Sequence, residues 1–225
     1  MTKPDGTRGG DSKGIEIVAN ARTADIVVSG GGIEIRRMDK PITGTTAFGN
    51  VAYLLLDCSS SMEGSKFEQA RRGGLDFANG AKEKGYEVGL ITFDDDAHHL
   101  CEPQKDLMLL SRQLREMHTG SRTNMAAALK IALDKLAGKG GNRAVVVVTD
   151  GQPTAGGTNP IEAAIHAAKD LKENGIEIIT IGTDDADTEF LKRIATRTDL
   201  SVMVHRDQLE GGISSATTML PEGRH

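Results

Sequence analysis

From residue 51 onward, short apolar runs alternate with segments of helical periodicity, and this alternation limits the possible folds most strongly. Strands joined by crossover helices run parallel, and parallel strands are covered on both faces, so their sequences are nearly continuous apolar runs. The sequence therefore predicts an α/β fold with a doubly wound, mostly parallel central sheet flanked by helices. Five runs are the candidate strands: 51–56, 86–93, 143–149, 176–181 and 200–204.

Helices are predicted between these strands by apolar residues that recur every three or four positions. Pro160 after Asn159 is typical of a helix start, and Gly85 and Gly175 stand where helices end before strands. A closing helix is expected over 206–220, interrupted by Gly211 and Gly212, which would lower its stability by up to about 1 kcal/mol each. The other helical patterns cover residues 67–81, 107–117, 125–136, 161–171 and 190–195.

The residues before this pattern form a different kind of segment. Residues 14–37 predict short β-strands, the last two joined by a turn at residues 30–32. Residues 1–13 are polar and Gly-rich, which predicts a disordered tail. The expected organisation is thus a tail (1–13), an N-terminal β-hairpin appendage with a linker (14–50) and a main domain (51–220).

Composition excludes several functions. A net charge of −5 disfavours nucleic acid, whose phosphates it would repel. Apolar runs fall far short of the roughly 20 residues that span a membrane, and residues 1–14 lack the apolar core of a signal peptide. With only two Cys, a disulfide framework is not expected. A cytoplasmic protein without nucleic-acid or membrane partners is therefore predicted.

Polar oxygen groups lie in three loops between the predicted elements. Asp57, Ser59 and Ser61 end the first strand, Asp150 follows the most apolar strand, and Thr123 precedes the helix that leads into that strand. In an open α/β sheet, ligands bind beyond the carboxyl ends of the strands. Hydroxyls with a few carboxylates suit a hard cation such as Mg²⁺, or Mn²⁺, whereas zinc would call for His or Cys.

The simpler interpretation of this cluster is a turn with a helix cap, since Ser and Asp both satisfy free N–H groups at helix starts. That interpretation would suffice for Asp57 and the serines alone. The separate Thr123 and Asp150 favour a metal site.

This pattern resembles the metal-ion-dependent adhesion site (MIDAS) of von Willebrand factor type A domains. The D-x-S-x-S of Asp57, Ser59 and Ser61, the separate Thr123 and the T-D-G at Asp150 fill all its metal positions. The chain resembles the single-domain intracellular bacterial members of that family, over roughly residues 52–205. The resemblance implies a Rossmann-like fold with one antiparallel edge strand, for which residues 97–103 are the candidate.

The resemblance also implies a function and a site. The two serines and the threonine would supply hydroxyl oxygens, and the acids would bind the metal directly or hold water. A vacant coordination position would accept a carboxylate from a protein partner, and engagement can be coupled to movement of the C-terminal helix. Two residues depart from the family pattern: Ser60 stands where glycine is usual, and Arg122 stands where a small residue is common and could attract an acidic partner.

Other polar residues are interpreted as structural. Cys58 is expected to be a small core residue. The acidic run at residues 94–96 is predicted to be a solvated turn, while adjacent His98 and His99 would point to opposite faces of a strand. Asp187 is expected to cap a helix, after a loop that includes Asp184 and Asp185.

The predicted function is a non-catalytic, Mg²⁺-dependent protein-binding module. One alternative is a metal-dependent phosphatase of the haloacid dehalogenase type, but its D-x-D motif has Ser59 in place of the second acid here. No G-x-S-x-G elbow or Walker loop supports other hydrolases. The remaining alternative is an interaction scaffold whose metal site has no role.

Overall fold

A computed structural model describes residues 24–29, 32–37, 49–183 and 186–222. The strands in these ranges are β1 (Ala24–Ser29), β2 (Gly32–Arg37), β3 (Asn50–Asp57), β4 (Tyr86–Phe93), β5 (Ala97–Gln104), β6 (Arg143–Thr149), β7 (Glu177–Gly182) and β8 (Ser201–Met203). The α-helices are α1 (Ser65–Glu83), α2 (Leu107–Glu116), α3 (Met125–Leu136), α4 (Pro160–Glu173), α5 (Thr188–Ile194) and α6 (Leu209–Ser215). Short 3-10 helices cover Ser60–Met62, Thr198–Leu200, Arg206–Gln208 and Ala216–Met219.

The chain divides into two compact units, Met1–Thr46 and Ala47–His225. In the first unit, β1 and β2 pair antiparallel, with Ser29 opposite Gly32. This confirms the predicted β appendage. The expected disordered tail, the strand expected before Ala24 and the residues of the turn at 30–31 lie outside the described residues. The domain bounds of 14–50 and 51–220 stay a prediction.

The second unit is built on a six-stranded sheet in the order β5-β4-β3-β6-β7-β8. All neighbouring strands are parallel except β4 and β5, which are antiparallel. The predicted mostly parallel sheet with one antiparallel edge strand is therefore confirmed. The β4–β5 register shifts twice, between Val88 and Leu90 and between Leu90 and Ile91, and β8 pairs with β7 over only three residues.

Successive side chains of the central strands point alternately into two hydrophobic layers, one on each face of the sheet. Leu54 and Leu56 of β3 belong to the layer formed with α1, α2 and α6, whereas Tyr53 and Leu55 belong to the layer formed with α3, α4 and α5. All four are fully buried. Helices on both faces explain why β3 is an unbroken apolar run, as the sequence predicted.

The helix boundaries follow from local signals that were visible in the sequence. The side chain of Asn159 caps α4 just before Pro160, and Asp187 accepts two N–H groups at the start of α5, as predicted. Gly85 and Gly175 have positive φ angles of 79° and 67° where a helix gives way to a strand. None of the helices in the described ranges has the length and apolar character needed to cross a bilayer.

The C-terminal segment differs from the single helix expected over 206–220. It consists of a 3-10 turn, the seven-residue α6 and a second 3-10 turn. Gly212 has a packing role here, because a Cβ at this position would lie 2.9 Å from Val204 Cγ1. Its lack of a side chain thus lets α6 approach the sheet, whereas a Cβ on its neighbour Gly211 would meet nothing within 4 Å.

Close contact between α1 and α6 depends on a second glycine. A Cβ on Gly73 of α1 would lie 2.7 Å from the backbone oxygen of Glu210. Two side chains of α1 contact the C-terminal segment: Gln69 Nε2 donates to the Arg206 carbonyl in the first 3-10 turn at 2.8 Å, and Arg72 pairs with Glu210 of α6 at 3.0 Å. The C-terminal segment is therefore seated on α1 by backbone proximity as well as by polar contacts.

We expect Gly73→Ala to lower the free energy of unfolding by about 1–3 kcal/mol, because the added methyl group has no space against α6. Gly211→Ala is the matched control, since its Cβ meets open space and alanine favours the helix by up to about 1 kcal/mol. Urea denaturation followed by circular dichroism measures both. Equal stability of the two variants would contradict the packing role of Gly73.

Candidate metal centre

Four of the five predicted site residues form one hydrogen-bonded chain. Ser59 N–H donates to Asp57 Oδ1 at 2.8 Å, the hydroxyl oxygens of Ser59 and Ser61 are 3.0 Å apart, and Ser61 Oγ donates to Asp150 Oδ1 at 2.7 Å. The structure therefore brings Asp57, Ser59, Ser61 and Asp150 together at one point on the rim of the sheet.

The sheet topology explains this proximity. Strands β3 and β6 are parallel neighbours, with Leu56 opposite Val148. Asp57 is the last residue of β3, and Asp150 directly follows β6, so both acids emerge at the same edge. The 3-10 turn Ser60–Met62 then folds the serines back toward the end of β6.

Thr123 lies in the loop before α3 and is 5% exposed. Its backbone N–H donates to Thr154 Oγ1 at 3.0 Å, and its carbonyl accepts the N–H groups of Thr154 and Ala155 at 3.0 and 3.2 Å. In the same loop, Gly120 N–H donates to the Cys58 carbonyl at 2.7 Å. These bonds tie the Thr123 loop to the two loops that carry Asp57 and Asp150. Its role as a ligand stays a prediction.

Sequence reasoning assigned no role to Thr149, which supports Asp57 directly. Its Oγ1 donates to Asp57 Oδ2 at 2.5 Å, and both residues are fully buried. The signal available in the sequence was a hydroxyl at the end of an otherwise apolar strand, next to Asp150. Thr149 thus holds the second carboxylate oxygen of Asp57 while Ser59 holds the first.

Burial dominates the electrostatics of Asp57. It raises the pKa of this carboxyl to about 6, against the opposing effect of the hydrogen bonds from Ser59 and Thr149. The nearby charge of Asp150 raises the pKa further. A cation in contact with Asp57 would favour its ionised form, so the site is electrostatically suited to positive charge.

Lys66 was also missed, although it contacts a predicted site residue. Its Nζ forms an ion pair with Asp150 Oδ2, and the two side chains are 10% and 0% exposed. Lys66 is the second residue of α1, where the helix dipole disfavours a positive charge. A lysine in the first helical turn beside a predicted acidic site was the signal that could have identified it.

Cys58, between Asp57 and Ser59, is a core residue as predicted. It is 2% exposed and belongs to the hydrophobic layer with α1, α2 and α6. Burial, and to a smaller degree the charge of Asp57, raises the pKa of its thiol. This keeps the sulfur protonated at neutral pH, and a protonated thiol is a poor nucleophile.

The acidic run at residues 94–96 has partners outside this cluster. Asp95 Oδ1 accepts a hydrogen bond from Arg122 Nε at 2.6 Å, and Oδ2 accepts Ser121 N–H at 3.2 Å. The Arg122 guanidinium lowers the pKa of the Asp95 carboxyl. His98 and His99 diverge, with His98 Nε2 3.7 Å from Asp94 and His99 Nε2 3.0 Å from the Tyr53 hydroxyl. Asp184 and Asp185 lie outside the described residues.

The donor set at the rim fits a hard divalent cation. Asp57 and Asp150 offer carboxylate oxygens, and Ser59, Ser61 and Thr123 offer hydroxyl oxygens. Across the described ranges there is no group of three or more His, Cys, Asp or Glu side chains placed to hold a metal ion. A metal centre there would need hydroxyl ligands, which are the groups gathered at this rim.

The fold and this rim place the chain among Rossmann-like domains whose ligands bind at the carboxyl end of the sheet. A family model for the von Willebrand factor type A domain matches residues 52–215. The chain therefore belongs to the von Willebrand factor type A domain family. Domains of this family are generally adhesion or interaction modules rather than enzymes.

Solved structures share the fold. The von Willebrand factor domain of the type V pili tip protein Mfa5 from Porphyromonas gingivalis is 15% identical, with a TM-score of 0.68 over 79% of this chain and 98% of that one. Proximal thread matrix protein 1 from the mussel byssus, solved with a zinc-occupied MIDAS motif, is 16% identical, with a TM-score of 0.63 over 79% of this chain and 49% of that one.

One sequence relative is an uncharacterized protein of Mycobacterium tuberculosis (strain ATCC 25618 / H37Rv). It is 28% identical over 151 residues, which make up 64% of this chain and 23% of that protein. The match therefore spans about a quarter of the relative's length.

We expect Thr149→Val to lower the free energy of unfolding by about 1.5–3 kcal/mol at neutral pH, because it removes a hydrogen bond to a buried carboxylate. Thr180→Val on β7 is the matched control: Thr180 is equally buried, but its hydroxyl donates to the neutral Ser201 Oγ at 2.9 Å. That change should cost only about 0.5–1.5 kcal/mol. Urea denaturation in the presence of a chelator measures both, and a larger loss for Thr180→Val would refute this role of Thr149.

Proposed function

We propose that this chain is a Mg²⁺-dependent protein-binding module that engages a carboxylate of its partner. Asp57, Ser59, Ser61, Thr123 and Asp150 would hold the ion, and Mn²⁺ could replace Mg²⁺. The bound metal would supply a Lewis-acidic position for the partner's acidic side chain. The residues of the chain orient that position and keep it at the edge of the sheet.

The observation that carries this proposal is the continuous hydrogen-bonded chain from Asp57 through the two serines to Asp150. It presents only oxygen donors, and both carboxylates are at most 1% exposed. Mg²⁺ prefers octahedral oxygen ligation, and two carboxylates with three hydroxyls would leave one position of that shell open. An acidic group from a partner fits this open position.

The residues beside the proposed ion favour a binding role over catalysis. Ser59 stands where a phosphatase of the haloacid dehalogenase type has its second acid, and a serine hydroxyl is a poor general acid or base at neutral pH. Membership of a family of adhesion and interaction modules points the same way. We therefore infer a non-enzymatic module.

Two further aspects of the proposal concern partners and location. The pili tip protein and the byssus matrix protein share this fold and support a role in protein interaction, whereas a net charge of −5 disfavours nucleic acid. Cys58 and Cys101 are both free and buried, as is usual in a reducing compartment. We infer that the chain functions in the cytoplasm.

We expect Asp57→Asn to abolish Mg²⁺ binding measured by calorimetry, because the change removes one of the two negative charges beside the ion. In the wild type, Mg²⁺ at 100 times its Kd should stabilise the fold by about 2.7 kcal/mol. Asp170→Asn is the matched control, since Asp170 is an exposed carboxylate on α4. An unchanged Mg²⁺ affinity of Asp57→Asn would refute the assignment.

A second experiment separates a working metal site from a scaffold with an idle one. The wild type and Asp57→Asn are immobilised, and a cell extract is applied in Mg²⁺ and then eluted with a chelator. We expect a partner that elutes from the wild type alone. A partner that stays bound in chelator and also binds Asp57→Asn would show that the metal has no part in recognition.

A further inference from the structure

A lysine ammonium lies inside the proposed metal site. Lys66 Nζ contacts Asp150 Oδ2, while Asp150 Oδ1 accepts the Ser61 hydroxyl at 2.7 Å. The residue is 8% exposed, so its whole side chain is directed into the rim and away from water. The ammonium therefore forms an ion pair with a carboxylate oxygen that could otherwise bind the metal ion.

This placement is costly unless the site needs positive charge. A buried ammonium loses its hydration, and the N-terminal turn of α1 adds the unfavourable end of a helix dipole. The nearby Asp150 carboxylate offsets both costs, and the charge of Asp57 lies at the other end of the same hydrogen-bonded chain. Lys66 is thus held by Asp150, one of the two acids proposed to bind the metal cation.

The charges of the site show what this ammonium does. Asp57 and Asp150 contribute two negative charges, which a divalent ion alone would neutralise. Lys66 makes the metal-loaded site one charge unit more positive than the ion and these two acids alone, because the lysine is anchored on α1 and stays near the rim even when its ammonium leaves Asp150. A carboxylate from outside is the kind of group that this added charge attracts.

We propose that Lys66 is a built-in counter-cation of this site, which competes with the metal for Asp150 and adds a positive charge to the loaded site that favours an anionic ligand. This inference rests on the proposed function. According to this inference, Lys66 weakens the affinity of the site for the metal and strengthens the affinity of the loaded site for the partner's acidic group.

The first test measures metal affinity in three proteins. Lys66→Met removes the charge while keeping a long side chain, and we expect it to bind Mg²⁺ at least about ten-fold more tightly by calorimetry. Lys82→Met is the matched control, because it removes an exposed lysine from the same helix and gives the protein the same net charge. It should bind Mg²⁺ like the wild type. If Lys66→Met does not fold, judged by circular dichroism, Lys66→Gln replaces it.

The second test measures anion affinity with acetate as the probe. Relaxation of the acetate methyl protons by the Mn²⁺-loaded protein reports acetate that enters the coordination sphere of the ion. We expect acetate to bind Lys66→Met several-fold more weakly than it binds the wild type or Lys82→Met. This readout does not depend on knowing the natural partner.

The outcomes distinguish this inference from the proposed function. Equal Mg²⁺ affinity in the wild type and Lys66→Met would overturn the role of Lys66 while leaving the metal site intact. Tighter metal binding with unchanged acetate affinity would overturn its role in selecting anions. Absence of Mg²⁺ and Mn²⁺ binding in all three proteins would overturn the proposed function, and this inference with it.

Discussion

Two carboxylates buried at the ends of neighbouring parallel strands impose the main physical constraint on this structure. Asp57 and Asp150 are 0% and 1% exposed, so each needs donors from the protein to offset its lost hydration. The surrounding residues meet this need, with Thr149 and the Ser59 N–H on Asp57 and with Ser61 and Lys66 on Asp150. The three loops at this rim surround two acids, which the parallel pairing of β3 and β6 brings together.

The sequence predicted the elements well because their signals are local. Strands β4 and β6 have the expected bounds, since each is a nearly continuous apolar run that both helical layers cover. The order of the strands has no comparable local signal, and the antiparallel edge was expected only from the family resemblance. The predicted site residues at the carboxyl ends of β3 and β6 followed from the rule that ligands bind beyond these ends of the strands.

What the sequence did not reveal depends on distant contacts. Lys66 is 84 positions from Asp150, and helical periodicity gives no reason to bury a lysine there. Gly212 was expected to weaken a helix, but its contact with Val204 shows that it permits close packing. A glycine that only weakens a helix and a glycine that allows close packing look the same in the sequence. They differ in whether another element packs against the glycine, which only the structure shows.

The two edges of the six-stranded sheet have a consequence for how other molecules can approach. An edge strand with free N–H and C=O groups can pair with a strand from another chain. Here β8 pairs over only three residues, while β5 is irregular in register and contains Pro103, which has no N–H to donate. Both edges are thus poor templates for intermolecular strand addition. The same features protect the sheet from edge-to-edge aggregation.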